Sequence, residues 1–143
     1  MIGSKPASCL YLTQLATDKI FRLIEEIHMT QAMQDPVGFA GQISVEQIPQ
    51  VVEKGFRSVI NNRPDMEGGA EQPTSAQIEE AARGVGLDYV YQPVVSGQID
   101  EMDVRTFANH YNELPKPILM FCRTGNRSNN LYQLAKQMDL LDD

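Results

Sequence analysis

The chain has little cysteine, little positive charge and no long hydrophobic run, and each shortage excludes a class of protein. Two Cys in 143 residues do not make a disulfide framework, and Cys9 lies far from Cys122 along the chain. Twelve Lys and Arg against nineteen Asp and Glu leave a net charge of −7. That balance argues against general binding to nucleic acid or to anionic membranes. No apolar stretch approaches about 18 residues, so no membrane span is expected. The N-terminus lacks a continuous apolar core ending in small residues, so no secretory signal is expected either. His28 and His110 have no metal-ligand partners at useful spacing, and neither a metal nor another cofactor is expected. A free thiol fits a reducing compartment, and the cytoplasm is the expected location.

The length suggests one domain, long enough for a core without staples. Residues 1–36 read as an N-terminal extension. Within it, Thr17 could cap a short helix through about His28, with Ile20, Leu23, Ile24 and Ile27 on one face. Compact patterning begins at Val37 and runs to residue 143. Val37–Ile43, Phe56–Asn62, Tyr89–Val95 and the apolar run before Cys122 read as strands. Between them lie helical patterns. Ser44 with Gln47 and Thr74 with Gln77 make two capping boxes. Pro49 sits awkwardly in the first of these helices, so an irregular first turn or a later start is expected. Val104, Phe107, Ala108, Tyr111 and Leu114 form the stripe of a third helix, with Asp103 at its expected N-cap. Leu131, Leu134, Ala135 and Met138 mark a last helix from Ser128 onward. Alternation of this kind predicts an α/β fold with a mostly parallel central sheet and helices on both faces. Three polar loops, Asn61–Gly69, Ser96–Asp103 and Cys122–Arg127, should then converge beyond the carboxyl ends of the strands.

The richest stretch is Ile118-Leu119-Met120-Phe121-Cys122-Arg123-Thr124-Gly125-Asn126-Arg127-Ser128. A buried strand ends in a Cys, and a loop with one Gly and two Arg leads into a helix start. Backbone N–H groups of such a loop and helix N-terminus point at one spot, which favours a bound oxyanion and an ionised sulfur alike. Cys122 is therefore the candidate nucleophile. Arg127 offers a bidentate fork suited to two phosphoryl oxygens. Gly125 allows close backbone approach or a positive φ. Arg123 is either a guiding charge or a surface residue, and Thr124 and Asn126 complete the loop. Arg63 and Asp65 leave the neighbouring strand end, where they could recognise substrate or clamp the loops as an ion pair.

Gly41-Gln42-Ile43, the run Gly55 to Asp65, the Tyr91-Gln92-Pro93-Val94 strand and the Cys122–Ser128 loop together resemble the phosphatase-like domain of the bacterial beta-lactamase-hydrolase-like family. The resemblance covers about residues 37–140. It implies a fold like that of the protein tyrosine and dual-specificity phosphatases. It also implies that Ser128 hydrogen-bonds the thiolate as it leaves the intermediate, although Ser128 is equally a good helix cap. By the same resemblance the loop after the third strand carries the general acid, with Asp100 the first candidate and Asp103 the second. One departure matters. The phosphatase signature has five residues between Cys and Arg, and here Cys122 and Arg127 enclose four. Single-domain rhodaneses carry such a Cys-Arg-x-Gly-x-Arg-Ser loop, but their upstream Asp-x-Arg and Gly-His-Ile segments are missing. Three functions are open: a cysteine-dependent phosphatase acting on a phosphomonoester, a sulfurtransferase carrying sulfane sulfur on Cys122, and an anion-binding module without turnover.

Overall fold

The computed structural model describes residues 35–142, so Cys9 and the helix expected over Thr17–His28 lie outside the described residues. Pro36–Asp143 form one compact unit. Its elements alternate: β1 (Val37–Ala40), a 3-10 turn (Val45–Gln47), α1 (Ile48–Glu53), β2 (Ser58–Asn61), α2 (Ser75–Gly84), β3 (Asp88–Tyr91), α3 (Glu101–Glu113), β4 (Ile118–Phe121) and α4 (Asn126–Gln137). All strand pairs are parallel, in the order β1-β4-β2-β3. The expected α/β class with a parallel sheet is the observed one.

The two central strands are buried along their whole length, which is why Ile118-Leu119-Met120-Phe121 is uniformly apolar. Their side chains alternate between two cores. Ile60, Ile118 and Met120 pack with Val104, Phe107 and Tyr111 of α3 and Leu131 and Ala135 of α4. Val59, Leu119 and Phe121 pack with Ile48 and Val51 of α1 and Ile78 and Ala82 of α2. Connectivity explains the division. From β1 through β2 to β3 the chain crosses the sheet in one direction, and from β3 to β4 it turns back. With a single crossover hand, the return helix must lie on the opposite face. Phe107 is completely buried, a burial that stabilises by about 1.5–3 kcal/mol.

Two boundaries differ from the sequence expectation for local reasons, whereas the irregular start expected at Pro49 is observed: a 3-10 turn precedes α1, and Pro49 falls in its first turn. α3 is capped by Asp100 rather than Asp103: Asp100 Oδ1 accepts from Asp103 N at 2.8 Å and Asp103 Oδ2 accepts from Asp100 N at 3.1 Å. α4 begins at Asn126, with Gly125 as N-cap, so Ser128 is inside the helix rather than at its cap. β4 is threaded between β1 and β2. Its carboxyl end is therefore flanked by the segments after both neighbours, and this edge holds the site.

Candidate active site

Cys122 follows β4 directly, and its N–H donates to Ala40 O across the sheet edge at 3.4 Å. Two residues later the chain doubles back. Gly125 adopts φ +95°, a left-handed conformation that a side chain would strain. A Cβ there would also sit 3.4 Å from Ala40 O. This turn aims Gly125 N–H at the Cys122 sulfur, 3.0 Å away. The thiol is 1% exposed. Burial pushes its pKa up, but hydrogen bonds from Ser128 N–H, the Ser128 hydroxyl and the Thr124 and Gly125 backbone outweigh that, and the net position is below the ordinary value of 9.0. Converging N–H donors at a helix start favour the ionised form of a sulfur over the protonated one.

Arg127, in the first turn of α4, reaches back over the sheet edge. Its Nη1 donates to Glu67 Oε2 at 2.9 Å and to Val94 O at 3.0 Å, and its Nη2 donates to Glu67 Oε1 at 3.2 Å. These bonds use three of its five N–H donors. Glu67 also accepts from Arg63 Nε at 2.9 Å. The Arg127 hydrogen bond, supported by Arg63, holds the Glu67 carboxyl below its ordinary 4.5 against the opposing effect of burial. Glu67 is thus ionised at neutral pH, and one carboxylate joins the loops after β2 and β4 across 60 residues of sequence.

Arg63 and Asp65 do not pair with each other. Arg63 bonds Glu67 and, through Nη1, Gln42 Oε1 at 3.1 Å. Asp65 Oδ1 accepts from Ser75 N at 2.8 Å, and its own N–H donates to Tyr91 Oη. The physical reason is reach. Four residues along a turn bring Glu67 back to Arg63, whereas Asp65 faces the unsatisfied N–H groups at the start of α2. Both residues brace the loop.

Arg123, Thr124, Asn126 and Arg127 form one wall of a cavity of about 350 Å³; Ser96, Gly97 and Ile99 face them, and Glu67 closes one side. The cavity continues into a recess of about 390 Å³ that shares Gly97, Ile99 and Asn130 and runs along α4 past Gln133, Leu134 and Gln137. Every side chain lining that extension is uncharged. Asp100 adjoins Ile99 in sequence but is not part of the wall; its Oδ1 is engaged in the α3 cap. A larger recess of about 620 Å³ lies elsewhere, beside Glu46, Glu71 and Glu80, and no residue of the Cys122–Arg127 loop lines it; the Cys122 side chain lies beneath the 350 Å³ cavity's lining rather than in it. Ser128 is completely buried, and its hydroxyl donates to Asn62 Oδ1 at 2.8 Å.

The structure therefore brings Cys122, Arg123, Thr124, Gly125, Asn126, Arg127 and Ser128 together. Sequence reasoning missed Glu67 and Asn62. Glu67 carries one local signal, its i,i+4 spacing from Arg63; a contact with Arg127 sixty positions away has none.

A parallel α/β sheet with a Cys loop between strand and helix is a phosphatase-like architecture, and the comparisons with known proteins agree. Residues 30–139 match the family described as beta-lactamase hydrolase-like protein, phosphatase-like domain. The chain belongs to that family. It is 37% identical over 100 residues to the beta-lactamase hydrolase-like protein of Agrobacterium fabrum, covering 70% of this chain and 23% of the relative. It is 32% identical over 103 residues to that of Xylella fastidiosa Temecula1, covering 72% and 24%. The chain thus spans about a quarter of the length of these curated relatives. Among solved structures, a "putative phosphatase" of Neisseria meningitidis Z2491 superimposes with a TM-score of 0.67 at 30% identity, covering 72% of each chain. One of the same description from Shewanella putrefaciens CN-32 gives 0.60 at 22% identity, covering 76% and 68%, a likeness of fold alone.

Proposed function

We propose that this phosphatase-like domain is a cysteine-dependent hydrolase of phosphomonoesters. The observation that carries the reading is the Cys122 sulfur receiving Gly125 N–H at 3.0 Å under the first turn of α4. Cys122 would attack phosphorus, expelling the alcohol and forming a phosphocysteine. The N–H groups of the loop and the Arg127 N–H groups that Glu67 and Val94 do not hold would carry the charge on the equatorial oxygens. Water would then attack the phosphocysteine, releasing phosphate and returning the electron pair to sulfur. Glu67 is unsuited to protonate the leaving oxygen because Arg127 and Arg63 keep it ionised. Asp100 is the carboxylate next in sequence to the cavity wall, and we assign the acid role to it. The substrate is a phosphorylated small molecule or side chain whose body lies in the neutral extension along α4. We place the reaction in the cytoplasm, where Cys122 stays reduced.

A specific observation favours a second reading. The Cys122–Arg127 ring is one residue short of the phosphatase signature, and Asp100 Oδ1 is occupied by a helix cap. A smaller cradle suits one sulfur atom, and sulfane transfer through a Cys122 persulfide needs no general acid. Parallel assays decide. Aryl and alkyl phosphates, and thiosulfate with cyanide, are each offered to wild type, Cys122→Ser and Asp100→Asn. The hydrolase reading expects Cys122→Ser to abolish phosphate release. It also expects Asp100→Asn to slow the alkyl ester by about 10²-fold, with a smaller effect on the aryl ester. Sulfur transfer unaffected by Asp100→Asn, without phosphate release, would establish the sulfurtransferase instead.

A further inference from the structure

We propose that Gly41 is a positioning residue for the anion site: its lack of a side chain lets the Arg123 carbonyl dock beyond the end of β1, which turns the Thr124 N–H towards a bound oxyanion. Past Ala40 the chain keeps contact with the Cys122 loop. Cys122 N–H donates to Ala40 O at 3.4 Å, and Gln42 N–H donates to Arg123 O at 3.3 Å. The Arg123 carbonyl thus points outward, at the segment after β1. The peptide that follows it is trans, and a trans peptide is planar with its C=O and N–H on opposite sides. Thr124 N–H therefore points inward, to the side of the loop on which Gly125 N–H meets the sulfur. That direction agrees with the part the Thr124 backbone plays in lowering the Cys122 pKa.

Space rather than conformation makes glycine necessary here. Gly41 is not among the glycines at positive φ, so a left-handed backbone is not the reason. A Cβ at Gly41 would lie 2.9 Å from Arg123 O and 3.6 Å from Thr124 Cα. Both are backbone atoms, so no change of rotamer relieves the contact. The approach is glycine-lined from both sides, since a Cβ at Gly125 would lie 3.4 Å from Ala40 O. Gly41-Gln42-Ile43 thereby gains a part in the site, although none of the three lines the cavity.

A side chain at Gly41 would displace the loop rather than the segment after β1. That segment is fastened on its far side. Ile43 is buried in the core that holds Phe121, and Gln42 Oε1 accepts from Arg63 Nη1 at 3.1 Å. Arg63 is itself held by Glu67 at 2.9 Å. Arg123 and Thr124, by contrast, are exposed, so their peptide is the part free to yield. Tilting it turns the Thr124 N–H off the oxyanion, and the cradle loses one of the donors whose value lies in being aimed beforehand.

The inference rests on the Cys122 loop binding phosphoryl oxygens as proposed, and its test separates the two claims. Iodoacetamide alkylation of Cys122 is followed against pH and against added inorganic phosphate in wild type, Gly41→Ala and Gly38→Ala. Gly38→Ala is the structural control, because its Cβ would meet side-chain atoms first, Phe56 Cζ at 2.7 Å. Gly41→Ala should need about tenfold more phosphate for half-protection, the scale of one hydrogen bond to a charged group. Its alkylation should also move to higher pH. Gly38→Ala should do neither, whatever it loses in stability to urea. In isotope-labelled wild type, phosphate should shift the Thr124 amide resonance at the concentrations that protect Cys122. This titration decides the matter should Gly41→Ala fail to fold. Half-protection of Gly41→Ala at the wild-type concentration would overturn the inference. So would a Thr124 resonance that stays still while those of Gly125 and Arg127 move. Equal changes in Gly38→Ala would overturn it too, leaving Gly41 a packing residue. Failure of phosphate to protect wild type would overturn the anion cradle and the inference with it, a failure visible without any variant.

Discussion

Arg127 serves two masters at the scale of single atoms. Its bonds to Glu67 and Val94 O use three of its five N–H donors. A lysine at this position has one point charge and cannot grip Glu67 in two places while offering a further planar donor. Arg127→Lys is therefore expected to weaken binding of phosphate or sulfate at least about tenfold, the scale of a lost charge-assisted hydrogen bond. Protection of Cys122 from iodoacetamide by added phosphate measures this directly. Protection at the same concentrations in both proteins would show that the fork is not used.

Among the elements, the turn from β4 into α4 depends on a glycine at positive φ. Gly125→Ala places a side chain at φ +95° and within 3.4 Å of Ala40 O. A loss of about 1–3 kcal/mol in stability is expected, together with a higher Cys122 pKa as Gly125 N–H is pushed from the sulfur. Urea unfolding and alkylation rates test the two halves, and a change of only a few tenths of a kcal/mol would contradict the first. At α3 the expectations divide by chemistry. Asp100→Ala removes the cap and should cost about 0.5–2 kcal/mol, whereas Asp100→Asn keeps an oxygen for Asp103 N–H and should cost little. Activity lost in Asp100→Asn without lost stability is then a catalytic effect.

These same elements show what a sequence can disclose. β4 was legible because a central parallel strand is buried on both faces, so four apolar residues ending in Cys122 have few other readings. The start of α4 was misplaced by two residues because Ser128 is a favoured cap type, while the actual cap, Gly125, has no side chain to announce it. Asp100 and Asp103 were both visible, but each can cap a helix, and only coordinates show that they cap it reciprocally. Asn62 is the residue after β2 and looks like any polar strand end. Its importance comes from Ser128, 66 residues away, and long-range pairing of this kind leaves no local pattern.

For the whole molecule, Glu67 is the point at which separate loops become one site. It ties Arg63 to Arg127, and Arg127 in turn holds Val94 O, so the segments after β2, β3 and β4 meet on one carboxylate. Its pKa lies below 4.5 because of Arg127 first and Arg63 second. A carboxyl with a depressed folded-state pKa contributes stability that is fully present above its unfolded value and lost as pH falls through the folded one. Glu67→Gln keeps the size but not the charge, so it should be less stable than wild type at pH 7. That deficit should shrink as pH falls below 4.5, because wild type then loses the ionised carboxylate too. Urea titrations of both proteins from pH 7 downward measure the difference. Phosphate protection of Cys122 should weaken in Glu67→Gln at pH 7, since Arg127 is no longer held over the loop. A stability deficit that stayed constant through the acid range would mean that Glu67 acts by packing rather than by charge. In that case the three loops are joined by something other than this ion pair.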